Sequence, residues 1–319
     1  MKQIKVKFCD GFYEEDDVFL PILKKHYDVV ISDDPDYLIY GPFGREHLKY
    51  NCIKIFTTGE CVVPNFNECD YATGFDDIAF GDRYLQLPLC SIMFRNGINM
   101  LDLAIKRGSD LPPVENKRFC SFVVSNANAM PQRKAMFDLL NSYKKVDSGG
   151  RYLNNVGGPV ENKLLFEHEH KFCICFENES YRGYTTEKIV DAFASGAIPI
   201  YYGNPDVTAY FNTKAFVNCH EYDSLADAAA YIEKIDKDDR LYEQIISEPI
   251  CDEGLPGLKE LEVFLCNIFD QNIEEAQRIP HSSYAYNMER GGKTYNGRLF
   301  NICMLPYRAI RKIQRKLSK

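Results

Sequence analysis

Two cations sit where a helix should repel them. Lys188 falls in the first turn of the helix expected after Thr185-Thr186, and Arg133 in the first turn of the one opened by Pro131. The macrodipole makes that end of a helix positive, so a cation there is unfavourable by several tenths of a kcal/mol up to ~1 kcal/mol. A bound anion reverses the sign, and free N–H groups at a helix N-terminus already attract phosphate. Two such bases in one domain are answered most simply by a diphosphate. The loop before Lys188 adds Asn178, Tyr181, Arg182 and Tyr184, each able to hold polar groups of a ligand, and Glu187 can accept hydrogen bonds from ribose or sugar hydroxyls. Taken alone, Glu187-Lys188 would be a plain surface ion pair; Arg133 weighs against that. A third charge stands apart. The apolar run 52–57 ends in Thr58-Gly59-Glu60, and ligands of open α/β sheets bind outside the carboxyl ends of strands. Glu60 therefore either faces a ligand or is a solvated strand-end carboxylate. The turn-rich, aromatic segment VPNFNECDYATGFD after it suits loops around a polar, sugar-sized cleft.

These residues need a scaffold of strands feeding helices. Residues 172–203, FCICFENESYRGYTTEKIVDAFASGAIPIYYG, read as strand, polar loop, helix and strand, a parallel βαβ unit. The run 172–176 is unbroken and apolar, as for a strand covered on both faces. Thr185 or Thr186 is placed to cap the helix and Gly196 to end it, with Ile189, Ala192 and Phe193 towards the sheet. Pro199 is tolerable in the next strand only near its start or at an edge. Upstream, strands are expected at 3–9, 27–31, 36–40 and 52–57, a helix at 16–26 with Pro21 near its middle, and a helix at 98–114 running into Pro112-Pro113. Then follow a strand at 118–124, a polar loop, and a helix from Pro131 through Ser142, proline being well suited to the first helical position. The glycine- and asparagine-rich stretch 146–158 either wraps a nucleoside or is an exposed loop. A strand at 216–219 and helices at 224–236 and 258–269 complete the pattern. The alternation predicts an α/β protein with doubly wound parallel sheets, in domains 1–114 and 115–270 with a C-terminal segment 271–319.

Composition narrows the function. At 319 residues there is room for two domains, and a net charge of −8 argues against nucleic acid as the partner while leaving room for a local basic pocket. The N-terminal MKQIKVKFCDGF enters a charged strand rather than a signal peptide, and no apolar run approaches a membrane span. The 12 cysteines are scattered through apolar runs without a C-x-x-C, which fits reduced thiols in a cytoplasmic protein. For the same reason the Asn178-Glu179-Ser180 sequon carries no expectation of a glycan. Gly292-Lys293-Thr294 lacks the first glycine of a P-loop, the position holding Asn287. Asp34-Pro35-Asp36 and Asp236-Lys237-Asp238 read as turn residues rather than metal ligands, and the histidines show no metal-ligand spacing. Residues 281–298 read as poorly structured. In 299–319, Ile310, Ile313 and Leu317 form a stripe among Arg308, Arg311, Lys312, Arg315, Lys316 and Lys319, suited to an anionic inner membrane surface or to a solvated tail.

One match is specific. Phe-Glu-Asn, then Tyr-x-Thr-Glu-Lys, then a helix into Gly-x-Ile-Pro-Ile-Tyr-Tyr-Gly resembles the signature of the α1,3/4-fucosyltransferases that use GDP-fucose. TGECVVPNFNECDYATGFD and FVVSNANAMPQRKAMFDLLNSY resemble two further blocks of the bacterial members, so the likeness runs from about Cys52 to Cys219. It implies a GT-B architecture, two Rossmann-like domains facing a cleft, with the acceptor on the first and GDP-fucose on the second. It further implies Glu60 as general base, Arg133 and Lys188 on the diphosphate, and Asn178, Tyr184 and Glu187 around ribose and fucose. The expected reaction is inverting transfer of L-fucose to the GlcNAc 3-hydroxyl of an N-acetyllactosamine-type acceptor. No metal or other cofactor is required, although a divalent cation could stimulate it. The expected location is cytoplasmic, with the tail on the inner membrane face. An α1,4 linkage, another nucleotide sugar, or a non-catalytic glycan-binding protein on the same fold stay open as alternatives. The seven-residue repeats that bacterial members often carry before a basic tail are missing here.

Overall fold

Strand β1 (Gln3–Cys9) sets the pattern of the first half: Ile4, Val6 and Phe8 are buried while Gln3 and Lys5 face solvent. In the computed structural model, which describes residues 1–11, 18–95, 98–251, 255, 257–280, 299, 302–303 and 305–306, β1 belongs to a six-stranded parallel sheet. The other strands are β2 (Asp28–Ile31), β3 (Tyr37–Tyr40), β4 (Ile53–Phe56), β5 (Tyr71–Gly74) and β6 (Tyr84–Gln86), in the order β2-β1-β3-β4-β5-β6. Helix α1 (Phe19–His26) covers one face. Because α1 begins at Phe19, Pro21 lies in its first turn, where a missing N–H costs no intrahelical bond.

Helix α2 (Leu89–Ile92), a short hairpin of β7 (Phe94–Arg95) and β8 (Ile98–Asn99), and α3 (Met100–Ile105) lead to a second parallel sheet. It comprises β9 (Arg118–Phe122), β10 (Val146–Ser148), β11 (His170–Phe176), β12 (Ile198–Tyr202) and β13 (Val217–Asn218), in the order β10-β9-β11-β12-β13. Its helices are α4 (Pro131–Tyr143), α5 (Lys163–His168), α6 (Glu187–Ala194), α7 (Leu225–Lys237) and α8 (Asp239–Ser247). Side chains of β11 alternate between two cores. Phe172, Ile174 and Phe176 join Met136 and Leu140 of α4 and Ile232 of α7, while Cys173 and Cys175 pack among Ile189 and Phe193 of α6. Pro199 is accommodated because it sits opposite Cys173 before pairing with β13 begins at Ile200. Two parallel α/β sheets in this arrangement are the GT-B architecture.

Two helices lie on the sheet that sequence order does not suggest. Helix α9 (Leu258–Phe269), followed by α10 (Ile273–Ala276), returns to the first sheet: Leu261, Phe264, Leu265, Ile268 and Phe269 share a core with Ile4, Val6, Tyr37 and Ile39. Conversely α3, with Met100 and Ala104, packs on α6 of the second sheet. The expected division at 114 and 270 therefore places both helices apart from the cores they fill, since an apolar stripe records that a helix is covered but not by which sheet. The expected helix 98–114 is confined to α3. Among segments read as loops, 71–74 and 146–148 are strands, buried although their sequences, YATG and VDS, carry no apolar run. Of Asp236-Lys237-Asp238, only Asp238 lies outside a helix, capping α8 through Arg240 N and Leu241 N, both 3.1 Å away; Asp236 and Lys237 belong to α7, where Asp236 accepts from Tyr143 and Lys144. The expectations for 281–298 and for Arg308, Ile310, Arg311, Lys312, Ile313, Arg315, Lys316, Leu317 and Lys319 lie outside the described residues. Among those described, no helix is long and apolar enough to cross a membrane.

Candidate active site

Strand β11 ends in Phe176, and the next residue, Glu177, is fully buried. Its carboxylate accepts from Thr186 N (2.7 Å), Thr186 Oγ1 (2.8 Å) and Lys188 Nζ (2.9 Å). Thr186 is the N-cap residue of α6, but its hydroxyl turns to Glu177 instead of bonding the helix's own N–H groups. Gly196 ends the helical stretch with φ +69°, as its position in the sequence suggested. Lys188 thus has an anion beside it within the protein. Burial works against its charge, yet the carboxylates of Glu177 and Glu187 outweigh that and hold its pKa above the ordinary lysine value. The sequence offered a ligand anion or a surface pair with Glu187 as the partner of this cation; the structure supplies a buried one, Glu177, which was given no role in the sequence. Glu187 stands at the head of α6, 3.9 Å from Lys188 Nζ.

Arg133 lies in the first turn of α4, with Pro131 at the helix start as expected. It is only 2% exposed. Nη2 donates to Phe176 O (2.9 Å) and to Asn178 Oδ1 (2.7 Å), and Nη1 donates to Asn126 O (3.3 Å). Among the described residues Nε–H has no partner. Burial pulls the guanidinium below its ordinary pKa, with Glu177 opposing, but an arginine stays charged at neutral pH. These contacts bridge the ends of β9 and β11, adjacent strands from which the chain leaves in opposite directions. That is the switch point at which open α/β sheets hold ligands. Beside it a cleft of about 320 Å³ is lined by Arg133, Met130, Lys134 and Tyr152. Tyr152 comes from the stretch 146–158. Its asparagines are occupied in holding the loop itself: Asn154 Nδ2 donates to Gly150 O and Gly158 O, and Asn155 Nδ2 to Val146 O. Asn178 likewise acts first on Arg133, through Oδ1.

Glu60 follows β4 on the other sheet. A turn fixes its backbone, with Glu60 N donating to Thr58 Oγ1 (2.9 Å) and Thr58 Oγ1 to Glu60 O (3.1 Å). The half-buried carboxylate makes no hydrogen bond or ion pair with a described residue. Tyr184 lies between the two sheets. It is buried against Phe75, ring centroids 5.1 Å apart. Burial raises its phenol pKa, and the fields of Glu177, Glu60, Cys61 and Glu187 raise it further. Carboxylates of both sheets thus act electrostatically on one phenol.

The loop carrying Tyr184 is pinned from both sides. Gly183, at φ +79°, donates its N–H to Asn204 Oδ1 (2.8 Å), and a Cβ there would lie 2.1 Å from Phe75 O. Buried Asn204 also donates to Thr185 Oγ1 (3.1 Å). Tyr181 packs edge-on to Phe75 at 5.8 Å; the neighbouring Asp76 carboxylate raises its phenol pKa, and burial raises that of Asp76 itself. Arg182 does not join the cluster: it is 81% exposed along its side chain and pairs with Asp206 at 3.3 Å. Among the described residues no three His, Cys, Asp or Glu side chains converge as a metal site. Glu177, Asp76 and Asn204 were given no role in the sequence, although Glu177 stands in the Phe-Glu-Asn block directly after a buried strand and Asp76 ends the block that begins at Thr58.

Two family descriptions match the chain: "Alpha-(1,3)-fucosyltransferase FucT N-terminal domain" over residues 4–93 and "Glycosyltransferase family 10 (fucosyltransferase) C-term" over 114–247. The chain is 37% identical over 262 residues to the α-(1,3)-fucosyltransferase FucT of Helicobacter pylori, an alignment covering 71% of this chain and 55% of that protein. It thus spans about half the length of that curated relative. A crystal structure of an α1,3-fucosyltransferase superposes with a TM-score of 0.72 at 30% identity, covering 85% of this chain and 91% of the other. A crystal structure of an α1,3-fucosyltransferase with GDP-fucose gives 0.70 at 30% identity, covering 85% and 92%. The sequence blocks and the paired sheets agree on one assignment. The chain belongs to glycosyltransferase family 10, the fucosyltransferases.

Proposed function

We propose that this protein is an inverting α1,3-fucosyltransferase that moves L-fucose from GDP-fucose to the 3-hydroxyl of GlcNAc in an N-acetyllactosamine-type acceptor. The observation that carries the reading is the buried cluster at the second sheet's switch point, Arg133 held by Asn178 and Lys188 by Glu177, with the uncommitted Glu60 carboxylate at the end of β4 in the first sheet. In this mechanism the acceptor hydroxyl attacks the anomeric carbon of fucose as Glu60 takes its proton, and the bond to the β-phosphate oxygen breaks on the opposite face. Such a base is worth roughly 10²–10⁴ in rate. The departing GDP gains negative charge, which Lys188 and the uncommitted N–H groups of Arg133 are suited to stabilise. Asn178 keeps Arg133 aimed, while Tyr184 and Glu187 offer a hydroxyl and a carboxylate to ribose and fucose. Tyr152 and the cleft beside Arg133 suit the nucleoside.

Two protein cations on the leaving group do what a metal would do, so transfer is expected to survive chelation, with a divalent ion at most stimulatory. The test is transfer from GDP-fucose to N-acetyllactosamine in the presence of EDTA, with the product linkage read by NMR. An α1,3-linked product supports the reading. An α1,4 product would revise the linkage, and GDP-fucose binding without product on any glycan acceptor would favour a binding protein.

A further inference from the structure

The second sheet's switch point is occupied by the Arg133 site, and the first sheet has a switch point of its own. It lies between β1 and β3, which are neighbours although the chain leaves them in opposite directions. Asp10, just past β1, accepts from Glu46 N (2.8 Å), His47 N (2.9 Å) and His47 Nδ1 (2.5 Å), tying the turn after β3 across the strand ends. A cleft of about 300 Å³ opens there, lined by Tyr40, His47, Phe56, Val62, Asn65 and Glu68. That volume is at the lower end for small-molecule sites, which suits a single sugar better than a nucleotide.

The lining has the chemistry of a sugar site. His47 is 6% exposed and its ring stacks on Tyr40, centroids 4.2 Å apart. Among the described residues its Nε2 has no hydrogen-bond partner; a carboxylate oxygen of Glu68 is 3.8 Å away, too far for a direct bond. A buried imidazole nitrogen left this way costs stability unless a ligand or water completes it. Val62 and Val63, 40% and 52% exposed, form an apolar rim that suits the C–H face of a pyranose. The cleft is also joined to the proposed base, because Val62 N donates to Glu60 O at 2.7 Å.

We propose that this cleft is the subsite for the acceptor's second sugar, the hexose joined to the one that receives fucose, with His47 bonding its hydroxyls. The assignment rests on the fucosyl-transfer reading above. Val62, two residues from Glu60, lines the cleft, so a sugar held there neighbours one whose hydroxyl lies at that carboxylate.

The test compares N-acetyllactosamine with N-acetylglucosamine as acceptors for wild type, His47→Ala and Val62→Trp. Val62 lies on the rim, so a larger side chain there fills the cleft without loading the core. In both variants the preference for the disaccharide, as a ratio of kcat/KM values, should fall about tenfold or more through KM. Affinity for GDP, measured by calorimetry, should hold. An unchanged preference in Val62→Trp would overturn the subsite, even if His47→Ala fails to fold. Wild type that fucosylates neither acceptor would overturn the reaction itself and the subsite with it.

Discussion

Glu177 illustrates how one buried charge organises several neighbours. It binds the cap of α6 and neutralises Lys188, so removing it strands a buried ammonium; Glu177→Ala should lower unfolding stability by about 3–5 kcal/mol. Urea denaturation checks this, and a loss under about 1 kcal/mol would mean that Lys188 finds solvent instead. His47 makes a pH-dependent prediction. Burial opposes its charge, but Asp10 and Glu68 prevail and hold its pKa above the ordinary 6.5. Its charge therefore adds stability in full below about 6.5, the unfolded value, and that share is lost as pH rises through the higher folded value. Unfolding free energy should fall across this window in wild type, and His47→Gln should remove that part of the fall. Equal slopes in the two proteins would assign the dependence to other groups. Lys188 and Arg133 stood out in the sequence because each puts a cation in the first turn of a helix, and Glu60 because it follows a buried strand. Glu177 did not, because burial is decided by packing from elsewhere in the chain.

At the scale of elements, the decisive piece is the loop from β11 to α6. Its path is set by Gly183, where any side chain would need an unfavourable positive φ and would collide with Phe75 O at 2.1 Å. Gly183→Ala should cost about 2–5 kcal/mol, the sum of the left-handed backbone penalty and the overpacking. It should also impair transfer more than GDP affinity, since the loop's contact with Phe75 joins the two sheets. Thermal unfolding and calorimetry test both parts; an unshifted Tm would show that the loop relaxes freely. The βαβ unit from β11 to β12 was readable from its apolar run, capping residues and terminal glycine. Strands β5 and β10 were not, because YATG and VDS are strands by pairing with their neighbours rather than by their own composition.

For the whole molecule, sequence order and spatial order part company at α3 and α9. Phe269 of α9 is fully buried 4.3 Å from the Tyr37 ring, some 230 residues away along the chain. Phe269→Ala should cost about 3–5 kcal/mol and loosen the first sheet while leaving GDP affinity intact, because the residues proposed to hold the donor lie on the second. Equal damage to GDP binding would mean that the sheets do not respond separately. The central proposal is that the two sheets divide the chemistry, the base on the first and the donor cations on the second. Glu60→Gln tests it most directly, with single-turnover transfer and GDP-fucose binding measured on the same preparation. The account predicts a loss of about 10²–10⁴ in the rate of transfer with donor affinity unchanged. Transfer at the wild-type rate would contradict it.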